Sequence, residues 1–155
     1  MREVEVYEPL ISFIDSDKDL HFTGALNQNA GEAESLGSLT CNGIIIESVA
    51  IQSDQNLSWD VYFFRTSGHD DTDLDKDFFV EVVDFDVIDG RRIAGANQYY
   101  YASTALHIPY HDDDVECQLH LMLVNRSATA KNAGATGEVK VSISYKPDGG
   151  KPGGV

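Results

Sequence analysis

Strict alternation near the C-terminal end of the chain constrains the fold more than any other feature. From Cys117 to Leu123, and again from Val139 to Tyr145, apolar residues stand at every second position. Successive side chains of a strand point to opposite faces, so this period of two predicts two strands, each with one buried face. The chain between them, residues 128–137, is small and polar, which is typical of a surface loop.

Shorter stretches of the same kind occupy most of the remaining chain. Strands are predicted at residues 20–23, 43–52, 57–65, 79–87, 98–103 and 106–110. The strands at 43–52 and 57–65 are expected to form a hairpin, because only a short turn separates them. A short helix is predicted over 73–79, and residues 24–40 are interpreted as a loop or an arm segment.

This pattern predicts an all-β protein, an antiparallel two-layer β-sandwich. About eight strands are present without a βαβ rhythm, and the long, irregular connections favour a jelly roll over an immunoglobulin-like arrangement. Residues 15–146 form the predicted sandwich. Residues 1–14 are an N-terminal arm or edge strand, because Pro9 limits ladder pairing. Residues 147–155 form a tail rich in glycine and proline that cannot bury a core.

The net charge of the chain indicates which classes of partner it can bind. Twenty-six acidic residues and eleven basic ones give a formal net charge of −15. Such a surface repels phosphate backbones and anionic lipids, so no nucleic-acid or membrane partner is predicted. Docking onto a basic protein surface and a merely solubilising role both remain open. With no apolar leader segment and no long apolar run, the protein is expected to be made in a cytoplasm.

No motif for catalysis, cofactor binding or metal binding is found. The chain lacks G-x-S-x-G and a phosphate-binding glycine loop, so it is predicted not to be an enzyme and to need no cofactor. Two acidic loops, at 67–77 and 111–114, place histidine beside carboxylates, as a metal site would. The first is interpreted as a solvated loop and the second as a hairpin tip. The D-x-D-x-D run that begins at Asp15 has Leu20 where a calcium loop needs glycine.

Two cysteines and a run of tyrosines carry further expectations. Cys41 and Cys117 fit no metal or redox spacing, and Cys117 is expected to be a buried thiol, with a disulfide left open. Among the consecutive tyrosines 99–101, at least one ring must point outwards. Such a ring at Tyr100 would offer an aromatic contact to a partner or a sugar, or would cover a neighbouring side chain.

Three stretches carry a resemblance to a known family: 95–101 (GANQYYY), 106–110 (LHIPY) and 119–138 (LHLMLVNRSATAKNAGATGE). In these stretches the chain resembles structural proteins of tailed bacteriophages, specifically the small jelly-roll cement, or decoration, proteins on the outside of icosahedral heads. The similarity covers about residues 90–147.

The resemblance implies a homotrimeric, non-enzymatic protein of the virion, on the outer capsid surface, that bridges neighbouring major capsid proteins. It implies contacts through the N-terminal arm, the loop 125–137 and the tail 146–155. Arg126 and Lys131 are among few basic residues, which favours them as salt-bridge partners. The predicted partner-binding residues are Arg2, Val4, Val6, Tyr7, Pro9, Tyr100, Asn125, Arg126, Lys131, Asn132, Lys146, Lys151 and Val155.

Two alternatives stay open at the level of sequence. One is another virion component, such as a tail or head-fibre part, which copy number per particle would distinguish. The other is a carbohydrate-binding β-sandwich module that stacks a sugar on the tyrosine run, which glycan binding would reveal.

Overall fold

The structure is a computed structural model that describes residues 12–15, 22–95, 97–133 and 139–148. Strands and turns make up nearly all of it. The strands are β1 (Ser12–Asp15), β2 (Gly31–Leu36), β3 (Gly43–Ser53), β4 (Trp59–Phe64), β5 (Phe79–Phe85), β6 (Arg91–Arg92), β7 (Tyr99–Ser103), β8 (Ile108–His111), β9 (Leu119–Asn125) and β10 (Val139–Pro147). A 3₁₀ turn covers Val87–Asp89. None of the described residues forms a helix of the length and apolarity needed to cross a membrane.

Two antiparallel sheets pack face to face, which confirms the predicted β-sandwich. One sheet has the order β1-β10-β3-β7-β6, with β8 also paired to β3, and the other has the order β2-β9-β4-β5. The pairs are nested along the chain. The first strand pairs with the last, β2 with β9, β3 with β7 and β8, and β4 with β5.

The core lies between the sheets and follows the period of two. On β4, Trp59, Val61 and Phe63 are buried, and they meet the inward residues of β9 and β10. Burying a large apolar side chain contributes roughly 1.5–3 kcal/mol, so these strands supply much of the stability.

The outer face of β9 is also buried, which differs from the one-sided strand expected. Met122 and Val124 form a second small cluster with Phe64 and the half-buried Tyr62. The acidic loop after β4 folds back over this face, with His69 stacked on Phe64 at a ring-centroid distance of 4.5 Å. His120, on the same face, is therefore enclosed.

The predicted hairpin between 43–52 and 57–65 is wrong. The strand β3 belongs to the first sheet and β4 to the second, so the turn between them crosses from one layer to the other. At this crossing, the backbone N–H of Leu57 donates to the hydroxyl of Tyr101, at 3.0 Å. Alternation specifies which face of a strand is buried, but it does not specify the neighbouring strand.

The predicted helix over 73–79 is also wrong. The carboxylate of Asp70 accepts hydrogen bonds from the backbone N–H groups of Thr72 and Asp73, and Asp75 accepts one from Asp77. Such local bonds compete with the helical pattern and favour turns.

Four other details differ from expectation. Residues 24–40, interpreted as a loop or arm, contain β2, an edge strand with little alternation. The predicted strand at 20–23 is not seen at Phe22 and Thr23, the part of it that is described. Cys117 precedes β9, with a φ of 54°, so it lies outside the strand where it was predicted. Cys41 and Cys117 are free and half-buried.

Candidate functional site

A buried histidine connects β9 to the edge strand β2 and to the turn after β8. His120 lies directly across from Ser35 in the β2–β9 ladder and is 2% exposed. Its Nδ1 lies 2.7 Å from the Ser35 hydroxyl, and its Nε2 lies 2.8 Å from a carboxylate oxygen of Asp112. The histidine therefore cross-links three segments that are distant in sequence.

Asp112 organises the turn between β8 and β9. Its side chain is fully buried and accepts hydrogen bonds from the backbone N–H groups of Asp114, Glu116 and Gln118. Burial raises the pKa of Asp112, but the hydrogen bonds from Gln118, His120 and Glu116 outweigh it and hold the pKa below its usual value. With an ionised Asp112, a proton on Nε2 of His120 completes this set of hydrogen bonds.

Tyr110 completes the packing around the histidine. Its hydroxyl accepts a hydrogen bond from the backbone N–H of His120 and donates one to the carbonyl of Gln118, each at 3.0 Å. Burial raises the pKa of Tyr110 well above its usual value. The polar groups of this region are thus held in one network.

A third potential ligand lies beside His120. A carboxylate oxygen of Asp114 is 3.5 Å from Nε2 and accepts a hydrogen bond from the backbone N–H of Ser67 at 2.9 Å. Asp112, Asp114 and His120 each offer a ligand atom, and the three atoms lie within 4.8 Å of one another. A cavity of about 280 Å³, lined partly by Ser35 and Ser67, adjoins His120.

The order Ser35–His120–Asp112 is also that of a nucleophilic triad. In this chain, however, Ser35 lies within β2, paired to β9, and its hydroxyl contacts Nδ1 of the ring. In such a triad the serine contacts Nε2 and the carboxylate contacts Nδ1, which is the reverse of the contacts seen here. We interpret the three residues as a cross-link of the fold.

The second candidate site is a groove on the outer side of β7, away from the core. Tyr100 is 44% exposed and Ile88, on the 3₁₀ turn, is 85% exposed. Together with Arg91, Asp89, Ala102 and Thr104 they line a groove of about 530 Å³.

Further exposed apolar residues, Val87 and Ile93, lie beside the groove in sequence. The inward neighbour Tyr101 is fully buried, so consecutive tyrosines do point to opposite faces.

The end of β9 and the loop after it hold two predicted contact residues that the structure buries. Asn125 is 0% exposed and its amide donates to the carbonyls of Leu26 and Thr129. Lys131 is 1% exposed and its Nζ donates to the carbonyl of Gly24 at 2.7 Å. Both side chains hold the loop against the sandwich, so the prediction that they contact a partner is corrected.

Three other predicted residues remain accessible, as does Tyr100. Arg126 forms an ion pair with Asp60 at 3.2 Å, and Lys146 forms one with Glu47 at 2.9 Å. Asn132 is exposed. The remaining predicted contacts, Arg2, Val4, Val6, Tyr7, Pro9, Lys151 and Val155, lie outside the described residues.

Sequence reasoning missed the cluster at His120. Alternation placed His120 on the solvent side of β9, and the run at 111–114 was interpreted as a hairpin tip. No local signal joins Ser35 to His120, because 85 residues separate them. Comparisons of the chain with protein-family models, with curated proteins and with solved structures find no match. Function therefore has to be inferred from the residues themselves.

Proposed function

We propose that this chain is a non-enzymatic structural protein of a phage virion that binds the outer surface of the capsid and cements neighbouring major capsid proteins. The observation that carries the proposal is the exposed groove at Tyr100, on a rigid β-sandwich. The proposal includes a homotrimer, which the resemblance of residues 90–147 to decoration proteins implies, and it keeps the expectation of synthesis in the host cytoplasm.

The strand pairing supports a jelly roll as the finer description of the sandwich. A jelly roll is a long antiparallel hairpin rolled into two sheets, so its pairs are nested along the chain. The pairs β1–β10, β2–β9 and β4–β5 follow that order, and β3 pairs with β7 and β8 between them. This is the fold that the resemblance implies.

The groove has the composition of a docking site for protein. Tyrosine and arginine are enriched among the interface residues whose replacement by alanine costs the most binding energy. Tyr100 and Ile88 provide the apolar surface, and Arg91, at the same groove, provides a cation in a chain of net charge −15.

We assign the groove to the major capsid protein as its occupant. A capsid surface that presents an apolar patch beside a carboxylate would match both Ile88 and Arg91.

Binding to the assembled lattice would stabilise it by mass action, since the protein prefers the shell over loose subunits. A passive role of this kind requires a rigid scaffold and no catalytic group. The long β3–β10 ladder provides that rigidity.

The proposal is tested by adding the purified protein to expanded heads that lack it, after its mass has been measured by light scattering. We expect a trimer that saturates the shell and raises its heat resistance. Tyr100→Ala should weaken binding roughly 30-fold, the effect of removing one central anchor of an interface. Leu74→Ala is the matched control, because Leu74 is also 44% exposed but does not line the groove. A monomer that ignores heads, or equal binding by the two variants, would refute the proposal.

Experiments on the particle and on the purified protein also distinguish two other functions from capsid cementing. A tail or head-fibre part would be present in few copies per particle, whereas a cement protein is present in hundreds. A carbohydrate-binding module is the second candidate, because an exposed ring such as Tyr100 can stack on a sugar. Glycan binding that disappears in Tyr100→Ala would favour that function, and silence on a glycan array would count against it.

A further inference from the structure

We infer that Asp112, Asp114 and His120 form a binding site for a single transition-metal ion of the Zn²⁺ type. This inference is independent of capsid binding. The site differs from a simple acidic cluster because one of its ligands is an imidazole that is almost completely buried.

The three candidate ligand atoms lie close together. The Nε2 atom of His120 faces two carboxylates, 2.8 Å from Asp112 and 3.5 Å from Asp114. Three ligand atoms within 4.8 Å of one another, two of them carboxylate oxygens, favour a positive charge between them, which either a proton or a metal ion can provide. Zinc bonds of about 2.0–2.2 Å separate tetrahedral ligand atoms by about 3.3–3.5 Å. The contact with Asp114 already has this length, and the contact with Asp112 would open by about half an ångström.

Hydrogen bonds from surrounding groups hold the three ligand side chains in place. Histidines that bind metals usually have an oxygen atom at the other ring nitrogen, which fixes the tautomer and the orientation of the ring. Ser35 provides that oxygen, 2.7 Å from Nδ1 and outside the three-ligand group. Backbone N–H groups hold both carboxylates, from Ser67 on Asp114 and from Glu116 among others on Asp112. The ligands are therefore positioned before any ion arrives.

The types of ligand indicate which ion the site would bind, and the exposure of Asp114 indicates how an ion would reach it. One imidazole with two carboxylates suits Zn²⁺ and similar transition metals, whereas Ca²⁺ and Mg²⁺ prefer oxygen ligands alone. Asp112 and His120 are enclosed, but the side chain of Asp114 is 34% exposed. The open side at Asp114 gives an ion a route to the site and leaves a fourth position for water.

The test uses the full-length protein, stripped with a chelator and titrated with ZnCl₂ by calorimetry. We expect one Zn²⁺ per chain, with affinity falling at least 10-fold in Asp114→Asn. The matched control is Asp113→Asn, because the side chain of Asp113 is also 34% exposed and the charge change is identical. Asp113 faces Arg65 and His111 instead of His120, so this control should bind zinc like the original chain.

Cobalt provides a second readout that depends on coordination geometry. Co²⁺ bound to the stripped protein should give the visible absorption of a four-coordinate ion, and Asp114→Asn should lose it. Circular dichroism of both variants checks that they remain folded. The absence of zinc binding, binding that persists in Asp114→Asn, or an equal loss in Asp113→Asn would each overturn the assignment. The last result would point to a surface site at His111 and Asp113.

Discussion

Replacing Asp112 with asparagine should destabilise the protein by about 2–6 kcal/mol. One carboxylate oxygen accepts hydrogen bonds from His120 and from the N–H of Asp114, and the other accepts from the N–H groups of Glu116 and Gln118. An amide keeps only one acceptor oxygen, and its NH₂ group faces two donors. Two buried donors are then left unpaired, and each costs roughly 1–3 kcal/mol.

The effect should depend on pH in a defined direction. The pKa of Asp112 is lower in the folded protein than in the unfolded chain. The stabilisation from its ionised form is therefore fully present above the unfolded pKa, about 3.9, and is lost as the pH falls through the folded pKa. We expect the difference between the original protein and Asp112→Asn to be largest near neutral pH and to shrink below about pH 4.

Urea denaturation is the assay, with the fluorescence of the single tryptophan, Trp59, as the signal because its side chain is fully buried. The free energy of unfolding is compared at neutral and at acidic pH. Asp113→Asn, at an adjacent and partly exposed position, serves as the control and should cost less than about 1 kcal/mol. A loss in Asp112→Asn no larger than in this control, or a loss that grows in acid, would refute the reasoning.

Two further predictions concern other buried polar groups. Lys131→Met should lower the free energy of unfolding by about 1–3 kcal/mol, because it leaves the carbonyl of Gly24 without its charged donor. Lys76→Met, at an exposed position, should have little effect in the same urea denaturation, and equal losses would contradict the prediction. Burial raises the pKa of Tyr110 in the folded protein. The neutral hydroxyl therefore contributes its full stability below the unfolded pKa, about 10, and this contribution is lost as the pH rises towards the folded pKa. Tyr110→Phe should therefore lose less stability between about pH 8 and pH 11 than the original protein, and parallel losses would count against a raised pKa.

The all-β sandwich could be predicted from the chain because its cause is local. Apolar residues alternate at Val139–Tyr145 and at Trp59–Phe63 because the pleat of a strand turns successive side chains to opposite faces. The faces that the structure buries are the predicted ones. The exposure of Tyr100 opposite the buried Tyr101 follows from the same geometry. Such features depend only on neighbouring residues.

Strand partners and the polar cluster could not be predicted in this way. The strand β3 fits a hairpin with β4 as well as it fits β10, and only the assembled sheets decide between them. Lys131 looks like a surface cation in the sequence, yet its ammonium group reaches the carbonyl of Gly24, 107 residues away. Whether a polar side chain faces water depends on what the rest of the chain places above it.

The class of fold, the acidic surface and the outward aromatic ring of β7 follow from the sequence alone, because propensity, charge and alternation are properties of short segments. Tertiary structure decided that the outer face of β9 is covered by the loop after β4, which encloses His120. It also brought Ser35, Asp112 and Asp114 to that histidine. These contacts join segments that are distant along the chain, through burial and hydrogen bonding. No periodic pattern in the sequence indicates such contacts.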